Sequence, residues 1–397
     1  MDARRRRSLR ANGLALPLLL LLLARSSAAH GRDLVVAATG EAALQQPMIV
    51  LDIGERPSGA SRPSKNALED LADDLPVIAI LDTGASGHVL SQATAARLGV
   101  VAEPGSRYFE TALGGTHAMQ VSRPLTLAAS DFDAADDGRA PNRHRARAAY
   151  RLAAQRVLLN DAPADLAALL ASPGAMADVA GMPLIRERVV EIVPGGGDEA
   201  VAVRLHASAA GLGVDSWIPL ALTDFAHRDP RNRGPSPALA ENPLVEGVRL
   251  TLGARRAEGT WLLDTGAACT IISTRIGRAL GLVDAVGAPA RRPEFTLPVG
   301  GAGGGHAYLP GFRLDRLAVT TADGRALVFE HPAAVVHDVT VTTAAGATLT
   351  LDGVLGMNLF LPSGTGLTLL GAAQSLPSPF TRIVIDTRGE RLGVKRR

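Results

Sequence analysis

Cysteine is nearly absent. Cys269 is the only one in 397 residues, which excludes an intrachain disulfide and leaves stability to packing. Aromatic residues make up 3% of the chain, so Ala, Leu and Val must fill the cores. The nine His are scattered without paired spacing, and no metal site or other cofactor is expected. Beyond the N-terminus no apolar run is long enough for a transmembrane helix. A surplus of positive charge is missing as well. The net charge of +2 comes from residues 1–29, which hold six Arg and one Asp. Without them the 41 basic and 39 acidic residues fall to 35 and 38, a net charge of about −3 that gives no case for nucleic-acid binding. The length suffices for two domains with full cores.

Residues 1–29 read as a signal peptide. Arg4 to Arg7 and Arg10 form a basic start, Leu14 to Ala24 an apolar core, and Ser27-Ala28-Ala29 a small-residue cleavage site before His30. The apolar core is short for a bilayer span. The expectation is an exported protein, periplasmic or secreted, with no stable membrane insertion once the signal is removed.

What the chain has is one stretch used twice. Residues 80–91 read Ile-Leu-Asp-Thr-Gly-Ala-Ser-Gly-His-Val-Leu-Ser, and residues 262–273 read Leu-Leu-Asp-Thr-Gly-Ala-Ala-Cys-Thr-Ile-Ile-Ser. The offset of 182 holds onward to Leu98-Gly99-Val100 and Leu280-Gly281-Leu282. A fixed offset marks an internal duplication, and duplicated lobes can face each other across a pseudo-twofold axis. Asp82 and Asp264 would then meet. Two carboxylates about 3 Å apart cannot both ionise easily and share one proton. The ionised member can take a proton from water while the protonated one polarises a carbonyl, which is acid–base hydrolysis without a covalent intermediate. Thr83 and Thr265 offer short hydroxyls to lock the two loops. Gly84 and Gly266 allow close backbone approach.

These residues resemble the aspartic proteases. Leu-Leu-Asp-Thr-Gly-Ala is similar to retropepsins, and the single chain with two lobes is similar to pepsin. That family carries a second landmark, two apolar residues then Gly, which matches Val179-Ala180-Gly181 and Val354-Leu355-Gly356. A third, the flap hairpin, matches Ala112-Leu113-Gly114-Gly115-Thr116-His117-Ala118 and Pro298-Val299-Gly300-Gly301 followed by His306-Ala307. The resemblance implies a mainly β, bilobal pepsin/retropepsin-like acid protease fold of two homologous β-barrel-like lobes with few short helices, residues 30–198 and 199–397. It implies an aspartic endopeptidase with a polypeptide substrate, acting as a monomer without a cofactor, the alternative being a catalytically silent binding protein on the same fold. Substrate-cleft candidates are Ala85, Gly87, Leu113, Gly114, Gly115, Ala267, Cys269, Gly300 and Gly301. Two departures stand out. Tyr108 does not align with the Tyr that pepsin-like enzymes place near the flap tip. Ala85 and Ala267 replace the Ser or Thr that usually follows Asp-Thr-Gly, so a hydroxyl that would stabilise the ionised carboxylate is missing, and the pH optimum should be less acid than pepsin's.

Patterning adds local expectations. Strands are expected at Leu34–Ala38, Met48–Ile53, Val77–Leu81, Tyr108–Ala112, Ala118–Leu127, Val157–Leu159, Arg188–Val193, Val201–Ala207, Trp217–Leu222, Val248–Leu252, Trp261–Leu263, Ile383–Ile385 and Leu392–Val394. Short helices are expected at Gln92–Leu98 and Thr274–Leu280, each closed by a Gly, and at Asp165–Leu170. Residues 55–75 read as a surface insertion with a helical piece at 67–72, and 130–155 as a solvated, basic helix face. The Gly-rich run at 300–305 lacks the Lys-Ser/Thr ending of a phosphate loop. A buried Cys269 and a solvated, turn-end His88 are the bland readings of those two residues. His117 and His306 read as matching flap positions.

Overall fold

A Ser begins each of two short helices, and a Gly ends each. In Gln92–Leu98 the Ser91 hydroxyl accepts from the Thr94 amide at 3.2 Å, and Gly99 closes the helix at φ 65°. In Thr274–Leu280 the Ser273 hydroxyl accepts from the Ile276 amide at 3.3 Å, and Gly281 closes it at φ 71°. A hydroxyl satisfying an orphan amide and a left-handed Gly satisfying the last carbonyls are the cheapest ends for so short a helix. This is why the repeated stretch ends in Ser. The computed structural model describes residues 32–54, 76–112, 115–132, 150–160, 178–195, 201–225, 229–300, 306–343, 347–367 and 371–397.

A third short helix, Met182–Glu187, and a 3-10 turn at Met357–Leu359 follow the two landmark glycines, and the rest of the regular structure described is strand. In lobe one, the strand that leads to Asp82, Val77–Leu81, lies between Met48–Gly54 and Asp178–Ala180; it and its counterpart before Asp264 are called catalytic strands after the sequence expectation. In lobe two, the catalytic strand Arg255–Leu263 lies between Asn242–Leu252 and Gly353–Leu355. Each landmark strand runs parallel to its catalytic strand and antiparallel to the strand that follows the catalytic loop, Val89–Ser91 or Thr270–Ile272. Read from the flap hairpin inward, the strand order of the nine-stranded sheet repeats in the 11-stranded sheet of the second lobe. A five-stranded sheet joins the halves. Its order is Ala202–His206, Val189–Val193, Phe380–Asp386, Arg391–Arg396 and Ser216–Pro219.

One buried aliphatic cluster runs through both lobes and the joining sheet, from Ile49 and Leu81 to Leu263, Ile383 and Val394. Aromatics are spent sparingly. Trp261 is fully buried, and Phe329, Phe360 and Phe380 meet at centroid distances of 5.7–6.2 Å.

Several sequence expectations shift. The N-terminal strand is Leu34–Val36, and it pairs in parallel with Leu327–Phe329 of lobe two rather than with its own lobe. Ala118–Leu127 is not one strand. The flap strand Gly115–Val121 ends before Pro124, which cannot donate to a ladder, and Leu125–Ser130 crosses to pair with Met48–Gly54. Tyr150–Gln155 is an edge strand and not part of a helix face. Trp217–Leu222 splits: Ser216–Pro219 enters the joining sheet, whereas Ala221–Thr223 pairs with Asn242–Leu244. The signal peptide, the 55–75 insertion, the 165–170 helix and most of the basic run lie outside the described residues.

Candidate active site

Each catalytic strand stops one residue short of its Asp, and the landmark strand beside it finishes the delivery. The Asp82 amide donates to the Ala180 carbonyl at 3.0 Å, and the Asp264 amide to the Leu355 carbonyl at 3.2 Å. Beyond that point the landmark glycines pass under the catalytic loops. A Cβ on Gly181 would stand 2.1 Å from the Gly87 carbonyl oxygen, and one on Gly356 2.1 Å from that of Cys269. The next amides anchor the loops from below, Met182 to the Ala85 carbonyl at 2.9 Å and Met357 to the Ala267 carbonyl at 2.8 Å.

The two threonines lock the loops together symmetrically. The Thr83 amide donates to Thr265 Oγ1 and the Thr265 amide to Thr83 Oγ1, both at 3.0 Å. The Thr83 hydroxyl donates to the Leu263 carbonyl and the Thr265 hydroxyl to the Leu81 carbonyl, both at 2.6 Å. Both side chains are fully buried. Each hydroxyl therefore accepts one bond from the opposite lobe and donates another to it.

The carboxylates meet between these grips and hydrogen-bond to each other. Asp82 Oδ1 accepts from the Gly84 amide at 2.7 Å and the Ala85 amide at 3.0 Å. Asp264 Oδ1 accepts from the Gly266 amide at 2.8 Å and the Ala267 amide at 3.0 Å. A Cβ on Gly84 would lie 2.6 Å from Asp264 Cγ, and one on Gly266 2.5 Å from Asp82 Cγ. Each Gly thus forms the floor under the opposite carboxylate. Burial raises the pKa of Asp82 against the pull of its hydrogen bonds. Burial raises Asp264 further, and the neighbouring Asp82 adds to the rise. The pair titrates as a unit, with one proton held between the two groups. This arrangement can activate a water with one oxygen and polarise a carbonyl with another.

The remaining predicted positions divide. Ala85 and Ala267 are half-buried beside the carboxylates. Gly115 pairs with Ala112 at the end of the first flap hairpin, and Gly300 with His306 at the end of the second. Leu113, Gly114 and Gly301 lie outside the described residues. Gly87 is not open to a cleft. It is buried and pairs with Leu239, because a segment entering lobe two crosses it. Cys269 is buried in an apolar cluster, where burial pushes its thiol up to about 12.

His88 is not solvated. Its side chain is buried and its Nδ1 accepts from the Gly181 amide at 3.2 Å. Thr270, at the same place in lobe two, has its hydroxyl facing the Gly356 amide at 3.4 Å. His88 therefore replaces a hydroxyl as the acceptor for the landmark glycine. Tyr108 is buried at the base of the flap. His117 and His306 are one step out of register. Val121 and Gly311 pair with equivalent residues, Leu158 and Val335, yet the two His precede them by different counts.

Sequence reasoning missed Gln46 and Asn242, whose side-chain amides reach the catalytic loops. It also missed the hairpin of Thr340–Thr342 and Thr348–Thr350, which lies against the first flap strand. Neither has a motif. What the two amides share is a place two residues before the residue, Met48 or Leu244, that pairs with the position two before each Asp, and that pairing is visible only in the structure.

Residues 71–133 and 248–359 match a family model described as aspartyl protease. Each matched segment contains one Asp-Thr-Gly. Among solved structures, basic 7S globulin from soybean aligns over 88% of this chain and 95% of its own, at 12% identity and a TM-score of 0.35. No curated protein sequence matches significantly.

Proposed function

The chain belongs to the aspartic protease family, and on that premise we propose that it is an endopeptidase in which Asp82 and Asp264 activate one water between the lobes. The observation that carries this reading is the crossed floor: each Asp-Thr-Gly glycine lies under the other lobe's carboxylate, and each Thr is bonded to the other loop. The ionised carboxylate takes a proton from the water as its oxygen attacks the scissile carbonyl carbon. The protonated carboxylate hydrogen-bonds the carbonyl oxygen as charge develops there. The tetrahedral diol then collapses, the C–N bond breaks, and the amine leaves with a proton from the dyad. The substrate is an extended polypeptide held under the flap hairpins. One chain supplies both carboxylates, which supports a monomer. The sequence of residues 1–29 supports export, and N-terminal sequencing of the exported protein should begin at His30.

The test is cleavage of an unfolded protein mixture across a range of pH, with Asp82→Asn and Asp264→Asn beside the wild type. Activity should fall by about 100-fold or more in each variant, since neither carboxylate works without the other. Binding of peptide without cleavage at any pH, by a folded wild type, would replace this reading with that of a silent binding protein.

A further inference from the structure

The two halves of the chain exchange straps. Residues 39–46 lead into the first strand of lobe one but run along lobe two. The Gly40 amide donates to Ser363 Oγ at 2.7 Å, Ala42–Ala43 pair with Ser363–Gly364, and Asn358 Nδ2 donates to the Gly40 carbonyl at 3.0 Å. Residues 232–242 lead into the first strand of lobe two but run along lobe one. Arg233 bridges Arg107, the Ala238 amide donates to the Arg156 carbonyl at 2.9 Å, and Leu239 bridges Gly87.

Both straps reach the catalytic loop of the lobe they cross, at the same points. Ser86 and Ala268 each stand four residues past their Asp. The Ser86 carbonyl accepts from the Ala240 amide at 2.9 Å, and the Ala268 carbonyl from the Ala43 amide at 2.7 Å. Each strap then ends in a side-chain amide. Asn242 Nδ2 donates to the Thr83 carbonyl at 2.8 Å, while its Oδ1 accepts from the Ser86 hydroxyl at 2.6 Å. Gln46 Nε2 donates to the Gly266 carbonyl. The positions are equivalent. Met48 pairs with Ile80 and Leu244 with Leu262, residues two before each Asp, and Gln46 and Asn242 each stand two residues before those partners.

We propose that Gln46 and Asn242 are positioning residues that set the spacing of the two carboxylates, each bracing one catalytic loop from a strap exchanged between the lobes. This rests on the reading of Asp82 and Asp264 as the dyad. The threonine grips tie each loop to the other loop and to the end of the other catalytic strand, and the landmark amides anchor each loop within its own lobe. The amides of Gln46 and Asn242 add a tie of another kind, because each holds a loop carbonyl to the root of the outer strand that pairs with the other catalytic strand. The assignment also explains why a polar side chain is fully buried at Asn242: both ends of its amide are used, one on Thr83 and one on Ser86.

The variants are Asn242→Leu and Gln46→Leu, which keep volume and remove the amide, with Asn242→Gln as the conservative control. Two readouts are taken on the full mature chain: the pH profile of kcat and KM on a peptide, and carbon-13 NMR titration of the dyad carboxyls, which needs no substrate. A loosened loop lets the carboxylates separate, and their mutual repulsion weakens with distance. The two apparent pKa values of the dyad should therefore move toward each other, kcat should fall by about 10-fold to 100-fold, and KM should change little. Partial recovery of the pKa interval is expected for Asn242→Gln. Folded Leu variants whose interval equals the wild type's overturn the proposal, since loss of folded protein lowers the active fraction without moving either limb. If Asn242→Leu does not fold, the half-buried Gln46 carries the same test. If the wild type cleaves nothing, the NMR titration still decides: a contracted interval upholds the braces while the protease reading fails.

Discussion

Thr83 and Thr265 show how much one small side chain holds at this centre. Each hydroxyl bonds two groups of the opposite lobe in a fully buried setting, and an isosteric methyl would strand both. Thr83→Val should cost about 1–3 kcal/mol for each stranded group, lower the midpoint of denaturant unfolding, and abolish cleavage. Thr83→Ser should restore most of both. The carboxylates beside them carry backbone amides but no hydroxyl at Ala85 or Ala267. In the proposed mechanism activity needs one proton on the pair, so it is lost as pH falls through the lower apparent pKa. Burial raises both groups from 3.8, which moves that acid limb upward. Ala85→Ser would add a donor to the ionised form of Asp82, and the acid limb of kcat should move to lower pH.

His88 works in the opposite sense. Burial lowers its pKa from 6.5 to about 4. Below the unfolded value the unfolded chain takes a proton that the folded chain refuses. Stability therefore falls as pH drops from 6.5 to about 4, by about 3 kcal/mol in all. His88→Thr, which copies Thr270 of lobe two, should flatten that slope in urea unfolding measured at several pH values. The protein is thus fitted to a range bounded on the acid side twice, by its dyad and by this histidine.

Among the elements, the landmark strands are the least tolerant of change. Each runs beside its catalytic strand and then dives beneath the loop at a Gly whose added Cβ would sit 2.1 Å from a carbonyl oxygen. The obstructing atom is backbone, which cannot swing aside. Gly356→Ala should destabilise by about 1–3 kcal/mol through overpacking and lower activity as the Asp264 loop is pushed up. Unfolding midpoint and kcat measured on the same preparation would check both. The helix caps and both catalytic strands were legible in the sequence, because each depends on contacts between near neighbours or on one backbone conformation, whereas the landmark was legible only through the family resemblance, since its glycines meet carbonyls far away in the chain. The flap strand that ends at Val121 was less legible, since Pro124 broke a run whose apolar alternation continued past it. Gln46 and Asn242 were illegible for a different reason. Their partners lie 220 and 159 residues away, and a single amide at the root of a strand has no local pattern to mark it.

At the scale of the whole molecule, stability comes from one aliphatic core shared by two lobes and a joining sheet. Leu34–Val36 sits in the sheet of the second lobe, and Phe380–Asp386 and Arg391–Arg396 sit in the joining sheet, so separating the halves would break both. With no disulfide available, reductant should leave the melting temperature unchanged. Cys269 is a built-in reporter of the core. Its thiol is buried and raised to about 12, so native protein should resist alkylation at about pH 8, where an exposed thiol near 8.5 reacts readily. Labelling should appear only across the unfolding transition. Rapid labelling of native protein would contradict the packing described here.

The sequence by itself determined the duplication, the pair of Asp-Thr-Gly loops, the two capped helices and the mainly β character. These follow from local patterns: alternation, a hydroxyl before a helix, a glycine after it. It also determined that two halves of similar sequence would build similar sheets. Only the tertiary structure decided which backbone lies under which carboxylate, that Gly87 is covered and His88 buried, and that each lobe's lead strap is handed to the other lobe. Those outcomes depend on how two sheets approach each other, and that geometry is set by packing between residues far apart in the chain, where sequence spacing carries no information.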